Sequence, residues 1–98
     1  MTMYEVKFTR AAERYFRKLK EEPLKEAYEA AIRRIADDPH VGKPKRGDLA
    51  GIYGVDVHFC GVNYEIAYTF RGRRDREVVV LLAGTRENSY EQLKRYIK

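Results

Sequence analysis

The chain has 98 residues, 44% of them hydrophobic, 12% aromatic and 36% charged, with a formal net charge of +5. That length makes one domain, residues 1–98, since each half would be too small for a stable core without metals or disulfides, and the one cysteine, Cys60, can neither close an internal disulfide nor begin a zinc site. The longest apolar run, Val78 to Ala83, is far short of the roughly 20 residues of a membrane helix, and the opening residues lack the basic and apolar regions of a signal peptide; a cytoplasmic protein without a membrane partner is expected, and its basic balance favours polyanions such as nucleic acid, or an acidic protein.

Tyr4, Val6 and Phe8 alternate with Glu5 and Lys7, the period of a half-buried strand. Thr9 suits an N-cap for a helix whose stripe is Ala12, Tyr15, Phe16 and Leu19, with Arg10, Arg14, Arg17, Lys18 and Lys20 on its outer face. Pro23 fits the first turn of a second helix, with the stripe Leu24, Ala27, Tyr28, Ala31, Ile32 and Ile35, and Asp37-Asp38-Pro39 ends it. Two helices joined so closely form a hairpin, and both stripes need a flat surface to cover them.

His40 to Gly51 reads as an irregular, basic loop carrying Lys43, Lys45 and Arg46. Val55, Val57 and Phe59 then alternate with Asp56 and His58, and Val62, Tyr64, Ile66, Tyr68 and Phe70 alternate with Asn63, Glu65, Ala67 and Thr69. With Cys60-Gly61 as a two-residue turn, Phe59 faces Val62, His58 faces Asn63, Val57 faces Tyr64 and Asp56 faces Glu65, so apolar meets apolar and polar meets polar. A basic turn, Arg71 to Arg76, precedes the run Val78 to Ala83, which reads as an interior strand buried on both faces. Asn88 with Glu91, or Ser89 with Gln92, would cap a last helix with the stripe Tyr90, Leu93, Tyr96 and Ile97. The fold class is therefore α+β in the order β-α-α-β-β-β-α: a small antiparallel sheet, a helical hairpin on one face, and a short C-terminal helix.

The other face would gather Asp56, His58, Asn63 and Glu65, rimmed by Lys43, Lys45, Arg46 and Arg86. Cleavage of RNA through its own 2′-hydroxyl needs a base, an acid and cations for the phosphorane charge, with no metal or cofactor. Glu65, His58 and Arg86 are candidates for these roles, and Tyr90 offers a ring on which a base can stack. The same groups also read as a solvated sheet face, and Tyr90 and Tyr96 as anchors of the last helix.

The segments Gly42-Lys43-Pro44, Asp48-Leu49-Ala50-Gly51, Asn63-Tyr64-Glu65-Ile66-Ala67-Tyr68 and Gly84-Thr85-Arg86-Glu87-Asn88, with the order of elements, resemble the RelE/ParE toxin superfamily over nearly the whole chain. The resemblance implies the toxin of a bacterial toxin–antitoxin pair, bound by a cognate antitoxin and monomeric alone. RelE-like members enter the ribosomal A site and cut mRNA with a basic cluster, an arginine after the last strand, matched by Arg86, and often a tyrosine near the C-terminus, matched in type by Tyr90. Glu65 stands where the family usually has an arginine, and Asp56 and His58 where it has lysines or arginines. ParE-like members instead bind DNA gyrase without nuclease activity, and a degenerate toxin would retain antitoxin binding alone.

Overall fold

The computed structural model describes residues 3–96, with the order β1 (Glu5–Phe8), α1 (Arg10–Lys18), α2 (Glu22–Asp37), β2 (Lys43–Pro44), β3 (Tyr53–Phe59), β4 (Val62–Arg71), β5 (Glu77–Thr85) and α3 (Arg86–Tyr96). The sheet order is β1-β5-β4-β3-β2. Neighbouring strands are antiparallel except β1 and β5, which run parallel because the helical hairpin returns the chain to the opposite edge.

The β3–β4 hairpin has the register expected from its alternation, from Phe59 opposite Val62 to Asp56 opposite Glu65. Its turn places Cys60 and Gly61 at φ 50° and 76°, the left-handed pair that suits the twist of a two-residue hairpin. The expected irregular loop before it is partly ordered: β2 pairs Lys43 with Gly54 and Pro44 with Tyr53, and short 3₁₀ turns flank it at Pro39–Val41 and Gly47–Leu49. Tyr68 holds this segment down, its hydroxyl donating to the Pro39 carbonyl (2.6 Å) and accepting from the Gly42 N–H (3.0 Å).

α1 lies against β5 and α2 against β3, covering one sheet face. Their stripes meet Val55, Val57, Ile66, Tyr68, Val78 and Val80 in the main core. Burying each large aliphatic or aromatic side chain there contributes about 1.5–3 kcal/mol. The second face is not left open along its length: α3 crosses β4 and β5 and closes a smaller core of Leu49, Ile52, Ala67, Leu81, Leu82 and Leu93. A bulge in β5 makes this possible. Ala67 pairs with Leu82 but Tyr68 with Val80, so Leu81 is an extra residue and β5 contributes Leu81 and Leu82 in succession to the second core.

Thr9 caps α1, its hydroxyl accepting from the Ala12 N–H at 3.1 Å, and also donates to the Leu81 carbonyl at 2.6 Å. For α3, neither expected capping box forms. The helix starts earlier, at Arg86, and the Thr85 hydroxyl accepts from the Asn88 N–H at 3.4 Å, because β5 runs directly into the helix without a linker. Asn88 and Ser89 lie inside the first turns instead. Leu93 is buried as expected, but Tyr90 is 48% exposed and is not a core anchor. Ile97 and the side chain of Tyr96, expected in the same stripe, lie outside what is described.

Candidate nucleic-acid interface

Where α3 stops covering the second face, an open concavity of about 600 Å³ remains between α3, β3, β4 and the β2 segment. The β2 ladder explains how a stretch rich in Gly, Pro and Lys positions side chains there. Lys43 lies opposite Gly54, and the Lys45 N–H donates to the Ile52 carbonyl at 2.8 Å, so residues 43 and 45 share the pleat face of Gly54 and Asp56. Among the described residues, five basic side chains line the concavity, Arg34, Lys43, Lys45, Arg46 and Arg86, against the acidic Asp56 and Glu65. Tyr90 stands one helical turn beyond Arg86, on the same side of α3, and completes the rim; the Lys94 ammonium lies 5.4 Å from its ring centroid.

The two carboxylates occupy different environments although they face each other across the β3–β4 ladder. Glu65 is 4% exposed, with Oε2 accepting a hydrogen bond from Lys45 Nζ at 3.0 Å and Oε1 buried without a hydrogen-bond partner among the described residues. Gly54 leaves the room for this pair, since a Cβ there would come within 2.5 Å of Glu65 Oε2 and 3.3 Å of Lys45 Nζ. Asp56 is about one-third exposed and lies 3.9 Å from Arg86 Nη1, a looser and wetter pair.

Of the residues singled out from the sequence, Glu65, Arg86, Tyr90, Lys43, Lys45, Arg46 and Asp56 meet in this concavity. Asn63 lies in an adjoining shallow concavity that shares Arg86. His58 lines neither. It is exposed opposite Asn63 near the hairpin tip, two residues beyond Asp56, and one pleat repeat of about 6.6 Å separates the two positions. Glu65 lines the concavity from beneath, buried with its Oε2 against Lys45.

Three contributors were not anticipated. Arg34 comes from the last turn of α2, and nothing local marks that turn as bordering β2. Lys94 had a signal, its i+4 spacing from Tyr90. Gly54 also had one, because a glycine beside an alternating strand marks close approach of another group.

The family model for the ParE-like toxin of type II bacterial toxin–antitoxin systems matches residues 6–94. Among solved structures, the RelBE2 toxin–antitoxin complex of Mycobacterium tuberculosis contains a chain 32% identical to this one, with a TM-score of 0.67 over 88% of this chain and 94% of that one. An arginine-to-alanine double variant of Escherichia coli RelE in the free state aligns over 98% of this chain and 99% of its own, at 20% identity and a TM-score of 0.75. The intact E. coli RelBE toxin–antitoxin complex aligns over 84% and 95%, at 20% identity and a TM-score of 0.69. Among curated protein sequences none matches. With the family model spanning all but the ends of the chain, and the same fold in the RelE structures, this protein belongs to the ParE-like toxins of type II bacterial toxin–antitoxin systems.

Proposed function

We propose that this toxin is a metal-independent endoribonuclease that cuts mRNA on the ribosome and so blocks translation, and that a cognate antitoxin holds it in check. The observation that carries the reading is the convergence of five cationic side chains and an exposed tyrosine on one concavity beside a partly exposed carboxylate. Single-stranded RNA supplies phosphates for the cations and bases for the ring.

In that reaction the 2′-oxygen attacks the adjacent phosphorus, the bond to the 5′-oxygen breaks, the 2′-hydroxyl proton passes to the general base, and a proton from solvent water in the open concavity reaches the 5′-oxygen. Lys45 and Arg86 stabilise the added charge on the phosphorane, with Lys43, Arg46 and Arg34 steering the flanking backbone. Asp56 takes the base role, since its side chain is about one-third exposed in the concavity while that of Glu65 is buried against Lys45. Tyr90 stacks a base next to the scissile step. The antitoxin partner is supported by the two similar structures that are toxin–antitoxin complexes.

The ParE-like family match favours a second reading, inhibition of DNA gyrase by binding alone. Mapping mRNA 5′ ends in a translation extract, with and without ribosomes, separates the two when a gyrase supercoiling assay is run on the same preparation. Ribosome-dependent cuts within codons, lost in Arg86→Ala, support the nuclease. Intact mRNA with blocked supercoiling replaces it with the gyrase reading.

A further inference from the structure

Glu65 is an unexpected residue to find under a surface meant for a polyanion. It places a negative charge below the concavity, directly across the ladder from a second one, Asp56, and like charges in directly opposed positions destabilise a sheet. Removing Glu65 from water is costly as well, and one of its oxygens has no hydrogen-bond partner among the described residues.

Each carboxylate, however, carries a cation. Lys45 Nζ sits 3.0 Å from Glu65 Oε2, and Arg86 Nη1 sits 3.9 Å from Asp56 Oδ2. Because Asp56 and Glu65 are cross-strand neighbours, a lysine arriving from the β2 segment and an arginine arriving from the start of α3 are brought side by side over the same rung of the sheet. Lys45 is the more firmly held of the two, with a side-chain exposure of 17% against 63% for Arg86. A free lysine side chain has a flexible four-carbon stem and loses much of its rotamer freedom when a ligand immobilises it. Contact with Glu65 makes that loss at folding rather than at binding.

We infer that Glu65 is a positioning residue: with Gly54 vacating the space beside it, it fixes Lys45 next to Arg86 as a two-cation clamp for one phosphate of a single-stranded RNA. The inference rests on the RNA reading above and adds to it the division of labour between the two carboxylates. It makes a prediction opposite in sign to simple electrostatics. If Glu65 were only a nearby negative charge, neutralising it would strengthen binding of a polyanion. If it positions Lys45, neutralising it weakens binding although the site becomes more positive.

The test is binding of a short single-stranded 2′-O-methyl oligoribonucleotide, which lacks the attacking hydroxyl, to the full chain at several salt concentrations. Glu65→Gln is expected to weaken binding about fivefold, and Lys45→Met to weaken it by more and lower the salt slope by about one. Gly54→Ala keeps every charge and lies on ordinary strand backbone, but its Cβ displaces the ends of the Glu65 and Lys45 side chains; it is expected to match Glu65→Gln. Thermal melting confirms that each variant is folded. Unchanged or tighter binding by folded Glu65→Gln or Gly54→Ala overturns the inference and leaves the RNA reading standing. Failure of the unaltered chain to bind the oligonucleotide overturns the clamp, while the RNA reading is decided by the mRNA 5′-end mapping with and without ribosomes.

Discussion

At the scale of single residues, burial decides what each carboxylate can do. Asp56 and Glu65 occupy facing positions, yet one pairs loosely with Arg86 near solvent and the other is covered by Lys45. Breaking a buried pair from one side strands the remaining charge, so Lys45→Met is expected to destabilise the protein by roughly 3 kcal/mol, the lower end for such a loss. Lys45→Met combined with Glu65→Gln should recover most of it, as urea unfolding of the two single variants and the double variant will show. His58, exposed and outside the concavity, is expected to be dispensable: His58→Ala should cleave mRNA within about twofold of the unaltered chain. A large loss there would return His58 to the chemistry. The sequence placed Asp56, His58, Asn63 and Glu65 on one face because alternation assigns faces, but depth beneath the surface depends on Gly54, Lys45 and α3, which arrive from elsewhere in the chain.

At the scale of elements, β1 and the first turn of α1 are tied to β5 by polar contacts at both ends of the parallel pair. Thr9 has two roles, accepting from Ala12 and donating to the carbonyl of the bulge residue Leu81. Thr9→Ala is expected to cost about 2 kcal/mol, one for the cap and one for the lost bond to Leu81, while Thr9→Ser retains both; denaturant midpoints distinguish them. At the other end, Lys7 Nζ lies 2.9 Å from Glu77 Oε2, and this hydrogen bond holds the Glu77 carboxyl below its ordinary range and the Lys7 ammonium above its own. The Glu77 contribution is therefore present above the unfolded carboxylate value and lost as pH falls through the depressed folded value. The Lys7 contribution is present below the ordinary lysine value and lost as pH rises through the raised one. Glu77→Gln should accordingly flatten the acid limb of the stability–pH curve, below the ordinary carboxylate range, a small effect because the pair is largely solvent-exposed. Strand and helix positions were legible from periodicity, and Thr9 from its cap chemistry. The parallel pairing of β1, the two-residue β2 and the early start of α3 were not, since each depends on a neighbour distant in sequence.

At the scale of the molecule, the excess positive charge has a place to act. A single strand that engages three phosphates in the concavity should bind with a log–log salt slope of about −2, losing about fifteenfold between 50 and 200 mM salt. A flat salt dependence would mean that the cations lining the concavity are not the binding surface. The sequence by itself determined the α+β class, the helical hairpin over a sheet, the β3–β4 register and most of the basic residues that the concavity gathers, because alternation, helical stripes, caps and turn residues are local and their periods survive any tertiary arrangement. Only the tertiary structure decided that α3 would close a second core, that Lys45 would meet Glu65 above the space left by Gly54, that Tyr90 would face outward and that His58 would stay apart. Burial and pairing are properties of the space between elements, and that space exists only once residues far apart in the chain have packed together.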